Sequence, residues 1–286
     1  MSAPPGIWPG RRPVLAARRW LAEEGAKGAL IAAASTVAVL GVAVVAVRSS
    51  ANWPAVRAQF FNPENFREAW PDVLGGFWLD LRMFVVAQVA ILAFALLIAV
   101  VRSLRGPAFL PLRLLAVLYI DAFRGVPLIL AILLFGFGIP ALDLPGLPRS
   151  PTFWGVTTLV LSYSAYTAEV YRSGIDSVPE SQRSSARSLG LTQWQSLRYA
   201  ILPQAVRNVV PALLNGLVSL QKDTALVSVL GLVEAARAAE QYASTTFNFT
   251  GYTMAALLFI AITIPLARVT DWLVERDRRR MAATGG

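Results

Sequence analysis

The sequence of 286 residues contains no cysteine and no histidine. That removes disulfides, thiolate nucleophiles, imidazole general bases and the usual zinc ligands, and with them most hydrolytic chemistry. No metal site is expected. The run G-x-x-x-x-G-K-[ST] is missing, which excludes ATP binding in the P-loop manner. Charge is scarce too: 15% of residues are charged, against 56% hydrophobic ones. What the chain does have is several apolar runs of eighteen residues or more, about the length a helix needs to cross a bilayer. These runs predict an all-α polytopic membrane protein. The formal charge of +9 could suggest nucleic acid, but the arginines flank the apolar runs instead of forming one patch, a placement that orients membrane proteins.

Six spans are predicted, at about Ala29–Val47, Met83–Val101, Gly125–Leu142, Thr152–Val170, Asn208–Leu232 and Tyr252–Trp272. Of the 26 Lys and Arg residues, 19 fall in the N-terminal segment, Arg102–Arg124, Arg172–Arg207 and the tail from Arg268. Positive residues stay inside, so both termini and the segment Ser177–Arg207 are expected on the cytoplasmic face. The 19-residue apolar stretch of the first span exceeds a signal-peptide core of roughly 7–15 residues and is expected to be retained. The start, with Pro4, Pro5, Pro9 and Pro13, reads as a cytoplasmic tail over 1–28. Residues 29–75 add a first span and an outer interfacial loop, and between the first two spans Trp53, Phe60, Phe61, Phe66, Trp70, Phe77 and Trp78 favour the membrane interface. A core of five spans follows over 76–272, then a basic tail over 273–286. Beginning the third span at Gly125 keeps Asp121 and Arg124 at the interface, where their spacing of three suits an ion pair.

The segment 177–207 is polar yet patterned. Ser177 with Glu180, and Thr192 with Gln195, read as two capping boxes, with Gly190 between them. The pattern predicts helix, glycine bend and a second helix ending before Pro203, with Trp194, Leu197 and Ile201 on one face. Such a pair is either a knob displayed to a partner or an amphipathic element resting on lipid headgroups.

Taken together these stretches resemble the permease subunits of ATP-binding-cassette importers, whose cytoplasmic loop reads E-A-A, three residues, G and, further on, I-L-P. Here Gly190, Ile201, Leu202 and Pro203 match. The chain is more specifically similar to the polar amino-acid group, of histidine, glutamine and glutamate type. Its patterns recur as Phe123-Arg124-Gly125-Val126-Pro127-Leu128, as Ala165, Tyr166, Glu169, Arg172, Gly174 and Ile175, and as Lys222-Asp223-Thr224-Ala225-Leu226 with Ser228. The likeness runs from about Gly76 to Trp272. It implies that 177–207 is a coupling-helix pair docking into the ATPase subunit through Glu180, Ser184, Ser185, Ala186, Gly190, Leu191, Trp194 and Leu197. The E-A-A positions are Ser184, Ser185 and Ala186, so the usual glutamate is missing and Glu180 is the nearest carboxylate.

Polar residues within spans are costly and usually functional. Asn215, Ser219 and Lys222 share a face at i, i+4 and i+7, with Gln221, Thr224 and Ser228 beside them, and Ser162, Tyr166 and Glu169 align in the fourth span. Tyr166, Asn215, Ser219, Lys222, Asp223 and Thr224 are therefore candidates for a substrate pathway; interhelical packing is the alternative for the serines and threonines. Glu169 with Arg172 reads as a structural pair. The resemblance implies a permease working by alternating access, with ATP and magnesium held by a partner ATPase dimer and no cofactor in this chain. It also implies a second permease, an external substrate-binding protein, and glutamate or a related amino acid as cargo. The alternatives are an ion-coupled secondary transporter and an intramembrane lipid enzyme.

Overall fold

The computed structural model describes residues 12–104 and 106–284, with the side chains of 12–26, 183 and 277–284 left aside. The Pro-rich start before residue 12 and the last two residues lie outside the described residues. Among these residues the secondary structure is helical throughout, and the chain divides after Ala58 into two compact units.

The first unit is dominated by α1, Arg12–Arg48, whose stretch Lys27–Arg48 is apolar on every side. Its Ser35 and Thr36 hydroxyls donate to the Ala32 carbonyl at 3.0 and 2.7 Å, which lets them sit in an apolar helix without an outside partner. Helix α2, Trp53–Phe60, follows.

The second unit is built around α3, Pro63–Ser103, a helix of 41 residues capped by Asn62, whose side chain accepts from the Glu64 amide. Its buried stripe, Ala69, Val73, Phe77, Asp80, Met83, Ala87, Ile91, Ala95 and Ile98, advances by three or four residues, the period of a helix with one face packed. The other helices pack on that stripe at three levels. Residues 69–77 meet α11, Ala235–Thr246, and α12, Thr250–Thr284, through Ala235, Ala238, Ala239, Met254 and Ala255. Small residues there let backbones approach closely: a Cβ on Gly76 would lie 2.5 Å from the Glu234 carbonyl carbon. The middle level joins Met83, Ala87 and Ile91 to Ile132, Leu159, Leu220 and Val227. The third joins Ala95 and Ile98 to Ala116 and Ile120 of α4, Leu110–Gly125, and to Ala165 and Ala168 of α7, Pro151–Asp176.

Among the described residues three helices are long and apolar enough to cross a membrane, or up to five if each of two bent pairs is one span, against the six predicted. The expected fourth span, within α7, is long enough at 26 residues but lacks the hydropathy. The reason is burial: its Thr158, Ser162 and Ser164 face α3, α4 and α10, not lipid. The predicted aromatic surface loop is also corrected. Residues Phe66 to Trp78 belong to α3, Phe77 is 4% exposed, and the proposed boundary at 75/76 falls inside that helix. Nor is α4 left out of the bundle. It packs on α3 and α7, and the chain then bends by 110° before the shorter α5, Leu128–Leu133, a π turn and α6, Ile139–Ala141.

Candidate transport pathway and coupling segment

Between α3, α4, α7 and α10, Leu202–Asp223, lies a chamber of about 360 Å³. Apolar side chains such as Ile91, Phe123 and Leu217 form most of its wall, and Gln88, Ser162, Tyr163, Tyr166, Thr167, Ser219 and Asp223 supply the polar groups. Among the described residues lining it, Asp223 is the one that is charged. The Tyr163 hydroxyl donates to Asp223 Oδ2 at 2.6 Å. The Ser162 hydroxyl is buried and has no hydrogen-bond partner among the described residues, although burying a free hydroxyl is costly. At the wall, the Tyr166 hydroxyl donates to the Arg124 carbonyl at 3.3 Å, and the Arg124 guanidinium lies 5.8 Å from the centre of the Tyr166 ring.

Of the six residues expected along a pathway, Tyr166, Ser219 and Asp223 line this chamber. Asn215 and Lys222 are exposed and do not, and Thr224 is fully buried, its hydroxyl on the Gln221 carbonyl at 2.9 Å. Lys222 and Asp223 are adjacent yet diverge by one helical step, so the carboxylate enters the chamber while the ammonium stays on the surface. Gln221 instead ties α10 to α12 by accepting from the Thr263 hydroxyl at 2.6 Å. Sequence reasoning did not pick out Tyr163 or Gln88, and it had Phe123 within a family pattern but not as a pathway residue. Tyr163 lies three residues before Tyr166, hence on its face, which was the available signal.

Arg124 turns to Tyr166, and the expected Asp121–Arg124 pair is not formed. Glu169 is the hub of a larger network. Arg172 Nε donates to it at 2.9 Å, Arg102 of α3 donates at 2.5 Å, and Arg172 also reaches Asp176 at 2.5 Å.

The segment after α7 forms α8, Glu180–Ser188, a reversal, and α9, Gln193–Gln195. At the reversal the Gly190 amide donates to the Arg187 carbonyl at 2.9 Å and the Leu191 amide to the Ala186 carbonyl at 3.3 Å, with Gly190 at φ +81. This pattern of two bonds needs a left-handed residue, which glycine adopts at least cost. Thr192 and Gln195 form a reciprocal capping box. Ser177 does not cap α8. It closes α7, donating to the Gly174 carbonyl at 2.7 Å and accepting from Asn208 at 2.8 Å, because Pro179 leaves α8 to start later. The second helix also does not stop at Pro203. It passes through a π turn, Ser196–Ile201, into α10, with Pro203 in the first turn, where a missing amide costs least.

Leu189 and Trp194 are 82% and 67% exposed. Ala186 is buried, and Leu197 packs against Val178, Ile201 and Ala205, so the expected common face of Trp194, Leu197 and Ile201 is split. Leu191 is half-buried, and Ser184 and Ser185 are exposed. Glu180 is exposed and accepts from Arg187 at 3.1 Å. Where the segment returns to the bundle, α7 and α10 nearly touch: a Cβ on Gly174 would overlap Val209 and sit 3.1 Å from the Ala205 carbonyl.

Residues 91–279, which include the reversal and every chamber residue but Gln88, match the family described as binding-protein-dependent transport system inner membrane component. The chain belongs to that family. This permease is 31% identical over 207 residues to the Bacillus subtilis arginine transport system permease protein ArtQ, covering 72% of this chain and 92% of the relative. Against the Escherichia coli O6:H1 glutamate/aspartate import permease protein GltK it is 34% identical over 218 residues, covering 74% and 94%. Among solved structures, an amino acid ABC transporter crystallised with histidines superposes with a TM-score of 0.69 at 30% identity, covering 75% of this chain and 98% of that one. The inward-facing MetNI methionine transporter, at 18% identity and a TM-score of 0.59, shares the fold. The permease is thus a multi-pass membrane subunit and not itself an enzyme. Helix α1 lies outside the matched residues.

Proposed function

We propose that this permease carries amino acids inward by alternating access, driven by ATP and magnesium on a partner ATPase dimer and supplied by an external substrate-binding protein. Both termini and the segment 177–207 face the cytoplasm in this reading, as the arginine distribution suggests. One observation carries it. The exposed reversal at Leu189, Gly190 and Trp194 runs through the π turn directly into α10, which ends at the chamber residue Asp223. A push on the reversal is therefore delivered along one stiff element to the chamber wall. The second permease of the pair is a different chain, which supplies the acidic docking residue that Ser184 lacks.

Glutamate is the cargo that the resemblance suggested, and GltK is among the relatives. A second reading rests on the chamber: with one carboxylate and no lysine or arginine among its described lining residues, it suits a basic amino acid better, and ArtQ is also a relative. Proteoliposomes containing the permease with its ATPase and binding protein test both points. Uptake should require internal ATP, and competition by unlabelled glutamate and arginine should separate the two cargoes. Gradient-driven uptake without any ATPase would favour a secondary transporter instead.

A further inference from the structure

We propose that this permease holds an anionic phospholipid in a groove between α3 and α7, with the headgroup on Arg82 and one acyl chain along the groove. The groove has a volume of about 670 Å³ and, apart from Arg82 and two threonines, is lined by apolar side chains, among them Val86, Phe94, Phe153 and Val160. It is distinct from the chamber, with which it shares no lining residue.

Three features select the occupant. The first is charge. Arg82 stands at one end of the groove and, among the described residues, forms no ion pair. Asp80 cannot serve it, being buried about 200° around the helix and bound to the Ala235 amide. A cation at the end of an apolar groove in a membrane calls for an anion, and a lipid phosphate provides one.

The second feature is the setting of that cation. The Arg82 guanidinium lies 5.4 Å from the centre of the Trp78 ring, and Trp78 is 55% exposed. Exposed tryptophan beside arginine marks the headgroup level. The N-terminal residues of α7, Thr152 and Phe153, border the groove too, so this level is where a helix begins.

The third feature is length. From Arg82 to Phe94 the helix rises roughly 18 Å, close to the ~15 Å of hydrocarbon in one leaflet. Phe94, held edge-on against Tyr119 at 5.9 Å, forms the far end. A groove as long as one leaflet, with a cation at its headgroup end, fits an acyl chain and its phosphate.

The test is native mass spectrometry of the full-length chain released from membranes containing phosphatidylglycerol and phosphatidylcholine in equal amounts. The wild type should retain phosphatidylglycerol over phosphatidylcholine by about fivefold, the preference that one interfacial arginine provides. Arg82→Gln should abolish the preference, Arg82→Lys should keep most of it, and Val86→Trp, which fills the groove, should reduce retention of both lipids. Equal retention by the wild type, or an undiminished preference in Arg82→Gln, overturns the proposal. The chain has no native cysteine, so a Val37→Cys, Val86→Cys pair gives a clean second readout. Cross-linking of that pair in the membrane would put protein in the groove and overturn the lipid assignment; the expected result is no cross-link.

Discussion

The Tyr163 hydroxyl reaches across from α7 to the Asp223 carboxylate on α10 at 2.6 Å, joining the two helices that form much of the chamber wall. A hydrogen bond to a charged group is worth about 1.5–3 kcal/mol, so the pair fixes where the chamber's carboxylate points. Asp223→Asn keeps the shape and removes the charge. Uptake in proteoliposomes should fall at least tenfold, while the amount of assembled complex stays near the wild-type level. Tyr163→Phe should give a smaller loss, because the carboxylate remains but is free to turn. Unchanged uptake in Asp223→Asn would remove the chamber from the transport path.

Gly190 has open space around it, so its substitution tests conformation and not packing. At φ +81 a β-branched side chain is strained by about 1–3 kcal/mol. Gly190→Val should leave the permease folded in the membrane but lower both transport and substrate-stimulated ATP hydrolysis in the assembled complex. Wild-type values for both would sink the coupling assignment.

Gly174 makes the opposite case, since there the space is missing. A methyl group at that position overlaps Val209 beside the Ala205 carbonyl, and overpacking typically costs about 1–3 kcal/mol. Gly174→Leu should lower the thermal midpoint and the yield of folded permease; pairing Gly174→Ala with Val209→Ala should restore much of the loss. A wild-type midpoint in Gly174→Leu would contradict the close approach of α7 and α10.

Lys222 is exposed, and no described ion pair engages it. A free ammonium in a membrane helix is tolerated beside water, substrate or a partner's charge. Lys222→Met should therefore lower uptake more than it lowers the amount of folded complex. Equal losses would make the lysine structural.

Ser184 and Ser185 are exposed where an acidic contact is usual, and the nearest carboxylate, Glu180, is engaged by Arg187. Losing such a docking contact weakens binding by roughly 1–3 kcal/mol. Intact-complex mass measurement after co-expression with candidate second permeases should find one copy of this chain per complex. A transport-competent complex with two copies and no other permease would refute the pairing, and loss of its coupling in Glu180→Ala would then assign the contact to Glu180.

The sequence by itself determined what local chemistry determines. The Thr192–Gln195 box and the reversal at Gly190 are set within a few residues, and the family patterns lie in contiguous runs. The polar residues that lower the hydropathy of α7, Thr158, Ser162 and Ser164, are explained only by the packing of that helix on α3, α4 and α10. Tertiary contacts likewise drew Phe77 into a core, turned Arg124 onto Tyr166 and gave Ser177 to Asn208, since each partner lies more than thirty residues away. The chamber was undecided for the same reason. Which of two adjacent charges, Lys222 or Asp223, faces inward depends on the rotation of α10, and that rotation is set by Leu220 and Gln221 packing into the bundle.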